Sequence, residues 1–172
     1  MSEGMLLPKF LTKEIAEHAV STVINAVFSE NFGLAKRHAC HIVVIVPSMK
    51  DDRAADYPDY PNYVISPAVL YEESINRTLW TGEYDNIARC KGLQLWHDRN
   101  DDRTDVVPHL LFPGDTPFWG GVKRRGIVVA CSGIQSWFDK MIAGMVADMI
   151  VAMAYNAWMT SKDREDKIAF LT

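Results

Sequence analysis

A chain of 172 residues has room for one domain of ordinary size with a hydrophobic core. Apolar residues make up 48% and charged residues 23%, as in globular soluble proteins. The net charge of -4 argues against a protein that neutralises nucleic-acid phosphates, because such proteins carry a strongly basic surface. The three cysteines, an odd number at wide spacing, indicate buried thiols in a reducing compartment rather than a disulfide framework.

The first part of the chain predicts a helix followed by a strand. Thr12 is a suitable N-cap, apolar residues recur after it at helical spacing, and Gly33 would end the segment. Residues 40–46 form a β-branched run that a proline closes, which is typical of a buried strand. The motif HACH overlaps the start of this strand, and alternation would bring only two of its side chains to one face. Structural zinc usually takes four ligands, so we expect no metal site here.

The next segments alternate between irregular and regular patterns. Residues 48–62 are acidic and rich in tyrosine and proline, with no helix or strand period, and predict a surface loop or a partner-binding arm. Residues 63–69 predict a strand, which Pro67 would confine to an edge or a bulge. The pattern over residues 71–80 is ambiguous, and residues 84–98 predict a helix with one apolar stripe.

A β-hairpin is predicted next. Residues 117–122 and 127–131 are its two strands, and residues 123–126 its turn. Gly126 would supply the positive φ that tight turns commonly require. The three consecutive bases of this turn are interpreted as a solvated turn, with an anion site as the alternative.

The middle helix and this hairpin together suggest a binding crevice. Gly120 and Gly121 lack side chains and would let a ligand approach the backbone, with Trp119 beside them as an apolar wall. Arg89 or Lys91 on the helix would meet an acidic ligand there. The alternative is that both glycines serve the twist of the sheet and both bases are solvated.

The last helix, predicted over residues 137–160, is apolar nearly all round. Its length would suffice for a membrane span, but Asp148 lies in the middle, and we expect a core helix of a soluble protein. A helix with two apolar faces needs cover on two sides, and in a domain this small the second cover is expected to be another subunit. One expected core face contains Met141, Ile142, Met145, Val146, Met149 and Met153, and the expected interface seam contains Gly144, Ala147, Val151, Ala154 and Trp158.

No familiar catalytic motif accompanies these elements. Ser132 lacks the G-x-S-x-G elbow, and Cys131 in an apolar strand predicts a buried, inert thiol. The sequence contains no P-loop, dinucleotide-binding fingerprint or HExxH.

The order of these motifs resembles the GlcG/HbpS-like family. The residues that carry the resemblance are IARCKGLQLW in the middle helix, FWGGV in the hairpin, and IVVACSG followed by Asp139. The resemblance implies a single α+β, profilin-like domain over residues 1–172, in which an antiparallel sheet of about five strands has helices on both faces. It also implies a homo-oligomer. The long segment 48–62 departs from the short glycine hairpin that is usual in the family.

The resemblance implies an oligomeric protein that binds a small acidic ligand, with haem as a candidate cofactor. Haem would need apolar walls, a base at the rim and an axial donor, for which His41, His97 and His109 are the candidates. Two other hypotheses are an assembly protein whose oligomer surface is its function and an enzyme that acts on a small organic acid. We expect a cytoplasmic protein without a signal peptide or a membrane anchor.

Overall fold

The computed structural model of the chain describes residues 5–50, 64–100 and 107–171. Its fold is α+β. The strands are β1 (Met5–Leu6), β2 (Cys40–Lys50), β3 (Ser66–Ile75), β4 (Gly121–Arg124) and β5 (Ile127–Ser132). The helices are α1 (Lys13–Val27), α2 (Tyr84–Trp96), α3 (Ser136–Met159) and α4 (Lys162–Glu165), with short 3-10 helices at Arg77–Leu79 and Pro108–Leu110.

The described strands form one antiparallel sheet of five strands. β2 is central: it pairs with β3 on one side and with β5 on the other, and β5 pairs with the short β4. β1 adds a two-residue pairing at the far end of β2. Among the described strands β3 pairs with β2 alone, which makes it an edge strand as its proline predicts.

Helices cover both faces of the sheet. α1 and α3 pack on one face, where β-branched side chains of β2 and β5 form the larger core. α2 packs on the other face, against Val43, Ile45, Val128 and Ala130. The first and last long helices therefore share a face and the middle helix takes the other, as the resemblance implies. The Thr12 hydroxyl oxygen caps α1, accepting from the Ile15 N–H at 3.3 Å.

β2 and β3 are both longer than the sequence predicts. β2 continues through Pro47 to Lys50. Its pairing with β3 shifts by one residue between Val44 and Ile45 and then continues past Pro47, which lies opposite Pro67. Three residues assigned to the acidic loop, 48–50, are thus strand, while residues 51–62 lie outside the described part of the chain. The ambiguous segment 71–80 is the second half of β3 followed by a 3-10 turn.

The predicted hairpin exists, but its first strand is shorter and shifted. β4 begins at Gly121 rather than at residue 117, and the turn contains only Arg125 and Gly126, with φ values of 51° and 83°. Two central residues with positive φ fit the turn that favours the twist of a two-residue hairpin.

The interpretation of the three bases as a solvated turn is wrong for two of them. The Lys123 ammonium donates to the Trp96 carbonyl oxygen at 3.0 Å, at the end of α2. The Arg124 guanidinium donates to the Gly144 carbonyl oxygen at 3.2 Å and lies 2.8 Å from the Asp148 carboxylate of α3. These two side chains connect the hairpin to helices on opposite faces of the sheet.

α3 is apolar all round, as predicted, but the assignment of its faces is corrected. Gly144 and Ala147, which were expected in an exposed seam, are buried within the chain. Met145 was expected in the core and is instead 42% exposed. The buried face consists mainly of Ile142, Ala143, Val146, Ala147 and Ile150. The sequence could not distinguish the two faces, because both carry apolar residues at helical spacing.

Within the described part of the chain, α3 alone is long and apolar enough to cross a membrane. One side of it packs on the sheet and on α1, so its apolar character also fits the core helix of a soluble protein.

Candidate functional site

The side chain of Lys91 lies in the interior of the protein and not at the rim of a crevice. It is 1% exposed, and its ammonium donates to the Cys131 carbonyl oxygen at 2.8 Å. It also lies 3.4 Å from a carboxylate oxygen of Asp139, in the first turn of α3. Lys91 belongs to α2 and Asp139 to α3, so the pair joins the helices of the two opposite faces around the end of β5.

Asp139 is buried, and hydrogen-bond donors surround its carboxylate. Its carboxylate accepts from the Ile134 N–H at 3.1 Å, and the Cys131 thiol lies 3.7 Å away. Burial raises the pKa of Asp139, although the nearby Lys91 ammonium and the Ile134 N–H act in the opposite direction. Burial also raises the pKa of the Cys131 thiol well above its ordinary value, which agrees with the predicted inert thiol.

Gly120 is the place where these two side chains pass the backbone. A Cβ atom at Gly120 would lie 2.6 Å from the Asp139 Cβ and 3.0 Å from the Lys91 Nζ, and its φ is 134°. A Cβ at Gly121 would lie 2.7 Å from a methyl carbon of Leu95. Trp119 is half-buried beside them. The close approach that the two glycines predict is made by the chain's own side chains.

The five predicted site residues therefore do not form one crevice. Lys91, Gly120 and Gly121 lie together with Trp119 next to them in sequence, but Arg89 reaches towards β3 at the opposite edge of the sheet. Its guanidinium binds Glu72 through two nitrogens, at 2.9 and 3.1 Å. The alternative of two solvated bases is wrong for Lys91, which is buried, whereas the Arg89 side chain is 42% exposed.

A second polar cluster, which we call the β3 cluster, consists of His41, Glu72, Ser74 and Arg89. The imidazole of His41 is buried, and each of its nitrogens has a partner. Nδ1 lies 2.9 Å from the Ser74 hydroxyl oxygen, and Nε2 lies 3.1 Å from a carboxylate oxygen of Glu72. Arg89 binds the same carboxylate from outside, so the four side chains form one continuous hydrogen-bonded chain.

Strand register produces this cluster. His41 on β2 lies directly opposite Ser74 on β3, and Glu72 is two residues before Ser74. Side chains two apart on a strand share a face, so both β3 residues point to the α2 side of the sheet, where Arg89 meets them. The imidazole lies between them and reaches one with each nitrogen.

The charges in the β3 cluster are fixed by burial and pairing. Burial lowers the pKa of His41, in spite of the opposing effect of Glu72, and this favours the neutral imidazole. The hydrogen bond from Arg89 is the largest influence on Glu72 and lowers its pKa, which favours the carboxylate. A neutral base between a hydroxyl and an ionised carboxylate is an arrangement that can accept a proton.

Arg77, Trp80 and Asp85 extend the cluster along the surface. The Arg77 guanidinium carbon lies 4.8 Å from the centre of the Trp80 ring, and the Arg77 side chain is 67% exposed. The Asp85 carboxylate lies between the two arginines, 3.4 Å from Arg77 and 3.8 Å from Arg89. The Trp80 ring meets the His41 ring edge-on, with 6.1 Å between their centres. Arg77 therefore presents a positive charge on an aromatic surface next to the β3 cluster.

Sequence reasoning missed Glu72 and Ser74. They belong to a segment whose pattern was ambiguous, and they are 31 and 33 residues away from His41. A strand assignment for residues 66–75 would have placed them on one face, but only the register shows that they meet the histidine. In residues 5–50, 64–100 and 107–171, no three His, Cys, Asp or Glu side chains are grouped so that they could hold a metal ion.

The outer face of α3 is the other surface of interest, and we call it the α3 stripe. It follows a 3-4 spacing down the helix and consists of Trp137, Met141, Met145, Asp148, Ala152, Tyr155 and Met159. Trp137 is 59% and Tyr155 64% exposed. The one charge in the stripe, Asp148, is paired with Arg124 of the same chain. The helix thus presents an apolar surface about 33 Å long on the side away from the core.

Comparison with protein-family models, with curated proteins and with solved structures gave no match for this chain. The function proposed next therefore depends on the geometry and on the resemblance of the sequence motifs.

Proposed function

We propose that the chain is a self-associating cytoplasmic protein of GlcG/HbpS type, whose subunits meet along the α3 stripe. The observation that carries the proposal is the exposure of that stripe on a helix whose other face is already buried. Isolated apolar side chains are common on protein surfaces, but a contiguous apolar row with its one charge internally paired is typical of an interface.

A second copy of the chain is the partner that suits this surface. Two such helices crossing side by side would cover each other's Trp137, Met145 and Tyr155, and each Asp148 would keep its own Arg124. Burial of apolar area is the main driving force for such contacts, and methionine adapts its shape to the opposite surface. Size-exclusion chromatography with light scattering should give a dimer or a larger closed assembly at micromolar concentration. A monomer would contradict the proposal.

Binding of a small acidic ligand is the second part of the proposal, and Arg77 is the observation that favours it. Its side chain is two-thirds exposed and lies over Trp80, and its one ion pair among the described residues is a long contact to Asp85. A carboxylate could take the outer donors of this guanidinium and place an apolar body on the indole. This moves the expected ligand away from Lys91 and Gly120, which the chain's own Asp139 occupies.

Haem is the candidate ligand that the resemblance implies, and the structure restricts its axial donor. Both nitrogens of His41 are engaged, so ligation there would break the contact with Ser74 or with Glu72. His97 and His109 are exposed. Titration with hemin should give a sharp Soret shift that saturates at one equivalent per subunit. His97→Ala or His109→Ala should abolish it, and Arg77→Ala should weaken it. A broad, non-saturating shift in all three variants would contradict haem binding.

A further inference from the structure

Ser74 and His41 lie close enough, and in a suitable environment, for a reaction that the proposed function does not include. The Ser74 hydroxyl is on an exposed residue of the edge strand, whereas the imidazole beside it is buried. A nucleophile that solvent can reach, a base within hydrogen-bonding distance and a third group that orients the base are the structural signature of an activated hydroxyl. The distances of 2.9 and 3.1 Å meet that requirement.

We propose that Ser74 is a nucleophile towards small carboxylic esters, with His41 as its general base and Glu72 as the residue that positions the imidazole. The proposal is independent of self-association, since all three side chains belong to β2 and β3 of one subunit.

The hydrogen-bond partners determine which nitrogen of His41 acts as the base. An ionised carboxylate can only accept, so the Nε2 that faces Glu72 carries the hydrogen of the neutral ring. Nδ1 then has a free lone pair and accepts the hydrogen of the Ser74 hydroxyl. This is the tautomer that a general base for Ser74 needs, and the contact with Glu72 keeps it in place.

The neighbouring charges agree with this role. Arg89 donates two hydrogen bonds to the Glu72 carboxylate and holds it in place. The carboxylate in turn holds the His41 imidazole in its orientation. Among the described strands β3 pairs with β2 alone, so its other edge has no strand partner there.

The reaction is balanced with water as the only co-reactant. The Ser74 oxygen bonds to the ester carbonyl carbon while its proton passes to the His41 Nδ1. The bond between the carbonyl carbon and the alkoxy oxygen then breaks, and the departing alcohol takes that proton. A water molecule attacks the acyl-serine in the same way, gives a proton to Nδ1, and releases the carboxylic acid as the Ser74 oxygen recovers the proton.

The test uses the whole chain and a fluorophosphonate probe, which forms a phosphorus–oxygen bond with an activated serine and releases fluoride. Intact-mass and peptide mass spectrometry should show one label per chain, at Ser74. Ser74→Ala should remove the label. Ser66→Ala serves as the matched control, because Ser66 is an exposed serine of the same strand. The Ser66→Ala variant should be labelled at Ser74 as fast as the wild-type chain. These two proteins should also hydrolyse p-nitrophenyl acetate at the same rate, and Ser74→Ala should lose that activity.

Variants of the other two residues separate catalysis from mere structure. His41→Gln should slow labelling by about 100-fold, the contribution expected of a positioned general base. Glu72→Gln keeps a side-chain oxygen near Nε2 and should slow it by about 10-fold, less than the loss of the base itself. For the wild-type chain the labelling rate should fall on acidification once the pH reaches the lowered pKa of the folded His41 imidazole, and this fall should be absent in His41→Gln.

Three results would overturn the proposal. The first is that the folded wild-type chain, checked by circular dichroism, takes no label at Ser74. The second is equal labelling of Ser66 and Ser74. The third is a folded His41→Gln or Glu72→Gln variant that reacts at the wild-type rate with an unchanged pH profile. The reactivity of Ser74 would then not depend on these two residues.

Discussion

The Lys91 ammonium lies 3.4 Å from the Asp139 carboxylate, with both side chains buried between helices that cover opposite faces of the sheet. The carbonyl oxygen of Cys131 accepts a second hydrogen bond from the ammonium, at 2.8 Å. A lysine and an aspartate are rarely buried unless they are paired, and this pair also explains why glycine occupies position 120.

The energetic coupling of this pair should be large. Lys91→Met leaves the Asp139 carboxylate buried without its cation and should lower the free energy of unfolding by roughly 3–5 kcal/mol. Asp139→Asn should also destabilise. In the double variant the second change should cost less than it does alone, with a coupling of about 0.5–3 kcal/mol by urea denaturation.

An exposed ion pair provides the control for that experiment. Lys162 and Glu165 lie 4.0 Å apart with both side chains largely in solvent. Lys162→Met should change the free energy of unfolding by less than about 0.5 kcal/mol. Additive costs at Lys91 and Asp139 would show that the two groups do not interact as described.

Gly120→Ala should be markedly destabilising. A Cβ would lie 2.6 Å from the Asp139 Cβ, and the φ of 134° is unfavourable for any side chain. Gly114 is the matched control, since its φ is 95° but nothing lies within 4 Å of a Cβ there. Gly114→Ala should cost about 1–3 kcal/mol through backbone strain alone. Gly120→Ala should cost clearly more by thermal or chemical denaturation, and an equal cost would argue against the close approach.

Buried His41 should make the stability depend on pH between 7 and 5. Burial lowers its pKa, so below about 6.5 the unfolded chain binds a proton that the folded chain does not yet accept. The free energy of unfolding should therefore fall as the pH decreases through this window. His41→Gln should flatten that dependence.

Glu72 should also make the free energy of unfolding fall on acidification, but at a lower pH than His41. Arg89 lowers the pKa of Glu72, so the stabilising effect of Glu72 is present above the ordinary pKa of a glutamate and is lost on further acidification.

The control for the His41 experiment is His97→Gln, which removes an exposed imidazole at the end of α2 and should keep the wild-type slope between pH 7 and 5. A His41→Gln variant with the wild-type slope would contradict the assignment.

Sequence patterns predicted the fold better than they predicted the candidate sites. Local signals such as the Thr12 cap, the β-branched run of β2 and Gly126 in the turn correctly predicted the start of α1, the first part of β2 and the presence of the hairpin. The glycine at position 120 correctly indicated a close approach, but not that Lys91 and Asp139 make it. That contact depends on two helices packed on opposite sides of the sheet, which no local pattern encodes.

The β3 cluster and the α3 stripe show the same limit. The distance in sequence between His41 and Ser74 is bridged by strand register alone. The seam expected at Gly144 and Ala147 was misplaced because an all-round apolar helix has no polar face to mark the outside. The face that α3 turns inward depends on which of its side chains fit against α1 and the sheet.

The most direct test of self-association is sedimentation velocity of the wild-type chain and of Met145→Glu at micromolar concentration. Met145 lies in the middle of the α3 stripe and is 42% exposed, so the variant should fold and keep its circular dichroism spectrum. Leu93→Glu, at an exposed apolar residue of α2 on the opposite face of the sheet, is the control. We predict that the wild-type chain and Leu93→Glu sediment as the same oligomer and that Met145→Glu sediments as a monomer. A monomeric wild-type chain, or an unchanged oligomer in Met145→Glu, would contradict the account.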